Sequence, residues 1–194
     1  MPTITLYTGA EDQYSRSDGS WSSTTTTLYF GEGGTDPTKE FRAWIPFANA
    51  LIPRAATILK ATLKVVGTAT SSGVPACHAR FGCENADNPV APTTYSDLFA
   101  RVFTSAVLDL SLPAYEKGVE YTYDLKASVQ EVVNRPGFVP GNKIAILIGR
   151  YDAGAGYRGI AAVENTTYPE AILELEIEYP VGGNPVAITP YMMF

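Results

Sequence analysis

From residue 57 to 67 the side chains alternate without a break. Leu59, Ala61, Leu63 and Val65 fall on one side, and Lys60, Thr62 and Lys64 on the other. A two-residue period is the mark of a strand with one face buried and one face in water. The period returns at 171–179, where Leu173, Leu175 and Ile177 oppose Glu174, Glu176 and Glu178. It returns again at 3–8, at 41–47, and in Cys77-His78-Ala79-Arg80-Phe81-Gly82-Cys83. Further strands are expected at 28–30, 101–110, 119–125, 143–150 and 158–163, the run 143–150 being apolar on both faces. Only 127–134 carries helical spacing, with Val129, Val132 and Val133 on one side and Asn134-Arg135-Pro136-Gly137 as a stop. A parallel α/β fold needs helices between its strands. This chain therefore predicts an all-β fold, a β-sandwich or jelly roll of roughly 8–10 antiparallel strands with one short helix near residues 127–134.

Two details refine the strands. Pro46 cannot donate a ladder hydrogen bond, so the strand at 41–47 should be bulged or near an edge there. The stretch 12–27 is polar and Ser/Thr-rich around Trp21, and reads as a long loop or a pair of short exposed strands.

The 194 residues suffice for one large sandwich with its own core. Fourteen Lys and Arg against twenty Asp and Glu leave a net charge of −6, with no basic run, which argues against nucleic acid as a partner. No apolar run approaches a membrane span. Residues 1–5 show no cationic region and no apolar signal core, so synthesis in a cytoplasm without a signal peptide is expected. Cys77 and Cys83, six residues apart on one strand, lie roughly 20 Å apart, too far to bridge. Both read as buried free thiols.

The expected division is a sandwich over 1–179 and an extended tail over 180–194. The tail ends in Val186-Ala187-Ile188-Thr189-Pro190-Tyr191-Met192-Met193-Phe194, with no charged side chain. Termini are usually polar and frayed unless something ties them down. Ile188, Tyr191, Met192, Met193 and Phe194 are thus candidate contacts to a partner or a neighbouring subunit. Trp21 and Trp44 join them as candidate partner-binding aromatics, with Tyr151 and Tyr157 as further exposed rings.

Several segments resemble the DNRLRE-type domain. They are Arg42-Ala43-Trp44-Ile45-Pro46-Phe47, Leu51-Ile52-Pro53, and Ala56-Thr57-Ile58-Leu59-Lys60-Ala61-Thr62-Leu63. Tyr123-Asp124-Leu125 followed by Val129-Gln130-Glu131-Val132-Val133 is similar to that family's strand-to-helix step, and 168–175 to its closing strand. Pro46, Leu125 and Lys126 depart from the family pattern. The resemblance implies a jelly-roll sandwich, a domain found in microbial surface proteins, some of them carbohydrate-associated. A free-standing copy with an apolar tail resembles a tailed-bacteriophage virion protein, such as a capsid decoration or adhesin-like head or tail component.

The motifs that could carry chemistry each have a plainer reading. His78 is the single histidine, and no Gly-x-Ser-x-Gly elbow accompanies it. Gly154-Ala155-Gly156-Tyr157-Arg158-Gly159 matches a dinucleotide fingerprint, but a strand follows it rather than the helix that fingerprint requires. Glu174, Glu176 and Glu178 share one strand face, whereas glycosidase carboxylates must face each other across a cleft. Asn165-Thr166-Thr167 is a glycosylation sequon that matters only on export. Glu84, Asn85 and Asp87 offer oxygens at a polar turn; a structural calcium is the alternative to that turn, and Glu11, Asp12 and Asp18 form a second such group. No other cofactor is expected.

The expected function is therefore non-enzymatic: a virion structural protein, a capsid decoration or head/tail accessory, contacting a major capsid or other virion protein and its own copies. The alternative is a carbohydrate-binding module or receptor-binding domain with a glycan as partner.

Overall fold

The computed structural model describes residues 2–32, 39–48, 50–69, 76–152 and 156–179. The tail over 180–194, with its five candidate contact residues, lies outside them.

The strands are β1 (Thr3–Tyr7), β2 (Gln13–Arg16), β3 (Trp21–Ser22), β4 (Thr27–Glu32), β5 (Glu40–Phe47), β6 (Thr57–Val66) and β7 (Cys77–Cys83). Helix α1 (Tyr95–Ala100) precedes β8 (Leu108–Leu112) and β9 (Glu120–Asp124). Helix α2 (Lys126–Val133) precedes β10 (Ile144–Arg150), β11 (Tyr157–Ala161) and β12 (Ile172–Glu178).

They form two antiparallel sheets, a smaller one ordered β1-β12-β6-β9 and a larger one ordered β11-β4-β5-β10-β7-β8, with β2 and β3 added beside β5. Consecutive strands β5 and β6, β8 and β9, and β9 and β10 lie in opposite sheets, so the chain crosses repeatedly between layers. The quartets β1-β12-β6-β9 and β5-β10-β7-β8 carry the interleaved order of a jelly roll.

The inner faces follow the alternation. Leu173, Leu175 and Ile177 meet Ile45, Phe81, Ile146 and Ile148 in one core, and α2 closes one end with Val129, Val132 and Val133. Each such side chain contributes roughly 1.5–3 kcal/mol on burial. The glutamates of β12 stay on the outer face, where Glu174 pairs with Lys64 at 2.6 Å and Glu176 with Lys60 at 3.8 Å.

Four local outcomes differ from the sequence reading or sharpen it. A register shift in the β6–β12 ladder skips Leu59, so Ile58, not Leu59, is the inward residue at the start of β6. Pro46 lies inside a sheet, opposite Ala145. Its carbonyl faces the other flank and accepts from Gly9 N (3.0 Å) and Thr8 Oγ1 (3.2 Å), beyond the end of the β2 ladder, so no strand there needs the missing donor. Residues 12–27 form the pair of short strands β2 and β3. The strand expected at 101–110 starts only at Leu108; residues 101–107 instead run across the outer face of the large sheet, preceded by α1, which the spacing did not reveal.

Candidate binding face on the large sheet

A second, smaller core lies on the outer side of the large sheet. The inward face of β10 carries Ile144, Ile146 and Ile148, while Ala145 and Leu147 point outward. Leu147 pairs with Trp44, and Leu98 from α1 packs onto both, with Trp21, Ala91 and Phe103 at the margin. Trp44 is completely buried and donates Nε1–H to Glu84 Oε2 at 2.7 Å. Glu84 also takes Arg101 at 2.8 Å, and Arg101 takes Asp97 at 3.0 Å. Thr94 caps α1 by accepting from Asp97 N. This buried polar chain fixes residues 91–104 against the sheet.

Beside this support the sheet carries a row of polar groups. Gly149 pairs with Arg80, and Arg80 with Asp109. Extending the β5–β10 register one step from Ile148 and Ala43 brings Gly149 beside Arg42. Gly149 thus lies between two arginines, and a Cβ there would come within 2.7 Å of Glu40 Oε1 and 3.3 Å of Arg42 Nε. Gly149 carries no side chain because Glu40, Arg42 and Phe103 already fill the space one would need.

The wall comes from 99–107. Arg42 sits under the Phe99 ring (4.8 Å) and the Phe103 ring (5.5 Å), and donates to the Phe99 carbonyl at 3.1 Å. The result is a cavity of about 620 Å³ bordered by Arg42, Arg80, Arg101, Arg150, Phe99 and Phe103. Val102 and Val107 stand exposed on its rim.

Carboxylates accompany these guanidinium groups. Arg42 meets Glu40 at 3.1 Å, and Arg150 lies 3.6 Å from Glu32 and 3.8 Å from Glu40. Arg80 is held by Asp109 through two parallel bonds of 2.8 and 2.7 Å, which raise its pKa further. That clamp engages two of the five guanidinium N–H groups, and the Arg80 side chain is 36 % exposed. Two residues along β7 on the same face, His78 stacks on Tyr151, with ring centroids 5.4 Å apart and planes 17° apart. Tyr151 is 36 % exposed.

The residues singled out in the sequence fall as follows. Trp44 is internal, so it offers no surface to a partner, and Trp21 is half-buried beside it. Glu84 is turned to Trp44 and Arg101, while Asn85 and Asp87 both hold Arg135, so the three do not converge on one point. Glu11 pairs with Lys143 and Asp18 with Arg16 and Lys39, away from Asp12. Among the described residues no group of three His, Cys, Asp or Glu is placed to hold a metal ion. Cys77 and Cys83 are buried and free; burial pushes Cys77 up to about 12 and also raises Cys83. Of the glycine-rich hexapeptide, Tyr157 and Arg158 open β11. Tyr157 joins a cluster with Tyr29 and Phe41, and Arg158 is buried, donating to the Pro113 carbonyl at 2.7 Å and the Leu112 carbonyl at 3.0 Å.

The groove itself was not foreseen. Part of its signal lies in the alternation, since Arg42 and Arg80 occupy outward positions of their strands; the run that holds Gly149 is apolar on both faces and gives none. Their juxtaposition needs the strand order, which no single strand encodes. No protein-family model matches the chain, and no curated protein matches it.

Proposed function

We propose that this chain is a non-enzymatic structural protein that works by contacting other macromolecules, as a capsid decoration or head/tail accessory component of a bacteriophage virion. The observation that carries the binding role is the contoured outer face of the large sheet. Exposed Val102 and Val107, half-buried Phe99 and Phe103 and the Arg80 fork surround one groove on a rigid support. Arginine and aromatic side chains are enriched at protein contact sites, and exposed valines beside them add apolar area a partner can cover. The virion setting rests on the DNRLRE-type resemblance and on the uncharged, Met- and aromatic-rich end of the chain.

The test is light scattering on the full chain, together with co-sedimentation with virus particles from its source lysate. The reading expects a fixed oligomer or particle-bound protein, and release by the double change Val102→Glu, Val107→Glu. A strictly monomeric, particle-free protein contradicts it. The alternative role, glycan or receptor binding, is favoured by one observation, the exposed Tyr151 ring stacked on His78 beside the groove.

A further inference from the structure

We propose that the groove bordered by residues 99–107 is filled by residues 186–194 of a neighbouring copy of this chain. This rests on the assembly reading above and names the segment that makes its contact.

Charge narrows the occupant. Each groove arginine has its own carboxylate: Arg42 meets Glu40, Arg80 meets Asp109, Arg101 meets Glu84 and Asp97, and Arg150 meets Glu32. The groove is therefore close to neutral, and an acidic or basic segment would meet like charge as often as opposite. Residues 180–194 carry no charged side chain, in a chain of net charge −6. The surface chemistry agrees. Val102 and Val107 present apolar area at the rim, and Phe99 and Phe103 stand over Arg42. Ile188, Tyr191, Met192, Met193 and Phe194 supply the complement, with aromatic rings suited to guanidinium planes and flexible thioethers that fill an irregular cavity of about 620 Å³.

The chain also leaves the sandwich close to this groove. Glu178, the last residue of β12, pairs with Thr57. Both residues flanking Thr57 bond Gln130 of α2: Ile58 N donates to its Oε1 at 2.7 Å, and its Nε2 donates to the Ala56 carbonyl at 3.0 Å. The next residue of α2, Glu131, accepts from Ser105 N at 2.8 Å and Ala106 N at 2.9 Å, and Ser105 borders the groove. Exit and rim thus stand on two flanks of one helix, about 10–12 Å across with its side chains. Residues 180–185 reach at most about 20 Å, enough to carry 186–194 from that exit to a groove. To enter its own groove the chain must round α2 and turn back over the large sheet. A copy set against α2 meets the segment without that reversal. Exchange in both directions gives a pair two identical contacts, the closed arrangement of a two-fold dimer.

The test is complementation between two full-length variants, read by light scattering. Val102→Glu with Val107→Glu spoils the groove and keeps the C-terminal segment; Tyr191→Ser with Met192→Ser and Met193→Ser does the reverse. Alone, each should weaken self-association about a hundredfold or more. Mixed in equal amounts they should pair at least about tenfold more tightly than either alone, because one intact segment still meets one intact groove. A second measurement needs no loss of binding. Cys77 and Cys83 are buried, so thiols placed at the surface report alone. Under oxidation, chains with Val102→Cys should bridge to chains with Met193→Cys. Chains with Tyr7→Cys, an exposed position on the small sheet, should not. Wild-type chains that associate while the mixture stays monomeric, or while no such bridge forms, overturn the proposal and leave assembly standing. A bridge within single copies of the double variant Val102→Cys, Met193→Cys puts the segment in its own groove and overturns the exchange. Wild-type chains that stay monomeric at every concentration overturn both.

Discussion

Asp12 is almost fully buried, and its Oδ2 accepts from Val163 N at 2.9 Å, while Oδ1 has no hydrogen-bond partner among the described residues. Burial, followed by the charges of Glu164 and Glu170, outweighs that hydrogen bond and lifts its pKa to about 7. In the unfolded chain this carboxyl ionises near its ordinary value of 3.8. Below that value both states hold the proton and nothing is lost. Between about 4 and 7 the unfolded state releases its proton first, so folding weakens as pH rises, and the cost levels off above 7. Asp12→Asn should therefore raise the unfolding free energy at pH 8 by roughly 1–3 kcal/mol and flatten the fall between pH 4 and 7; a pH series of urea melts reads both. A second residue-scale expectation concerns Trp44. Trp44→Phe removes the Nε1–H that Glu84 accepts and leaves a gap under α1, at a cost of about 2–4 kcal/mol. The thiols give a third. Folded protein should react with a thiol reagent at neither cysteine, and unfolded protein at both, because burial keeps Cys77 and Cys83 protonated at neutral pH.

At the scale of elements, α1 decides whether the groove has a wall. It is six residues long and buries only Leu98, so its cap and the Asp97–Arg101–Glu84 chain hold it more than its own packing does. Thr94→Ala should cost about 1 kcal/mol and should raise amide exchange through 95–104 before the sheets are affected. The same element shows why part of this protein was legible in its sequence and part was not. Strands β6, β7 and β12 are visible because a two-residue period over seven or more residues selects one face, and β10 because its run is apolar on both faces. In α1 a single buried leucine makes no period, and the Thr94–Asp97 cap was the one readable sign. Residues 101–107 look like strand because Val102, Phe103 and Val107 suit one, yet here they border the groove. Alternation places Leu59 in the core because it assumes an unbroken ladder, and one skipped residue reverses the phase. The candidate site suffered most, since Arg42, Arg80 and Gly149 come from three strands far apart in sequence.

For the whole molecule, two sheets enclose one core and the large sheet carries a second, outward one. That arrangement separates stability from contact: the inner core holds the sandwich, and the outer core stiffens a surface. Deleting residues 181–194 should leave the sandwich folded, with an unchanged far-ultraviolet spectrum, while abolishing assembly; normal assembly by the truncated chain removes the tail from the account. The central claim is that the outer face of the large sheet is where this protein meets its partners. Hydrogen–deuterium exchange on the full chain, compared between its highest-order assembly and the dissociated state, tests it directly. The account predicts added protection over His78–Arg80, residues 99–107 and residues 149–151, with β1, β6, β9 and β12 unchanged. Protection on the outer face of the small sheet, with the groove unaltered, would contradict it.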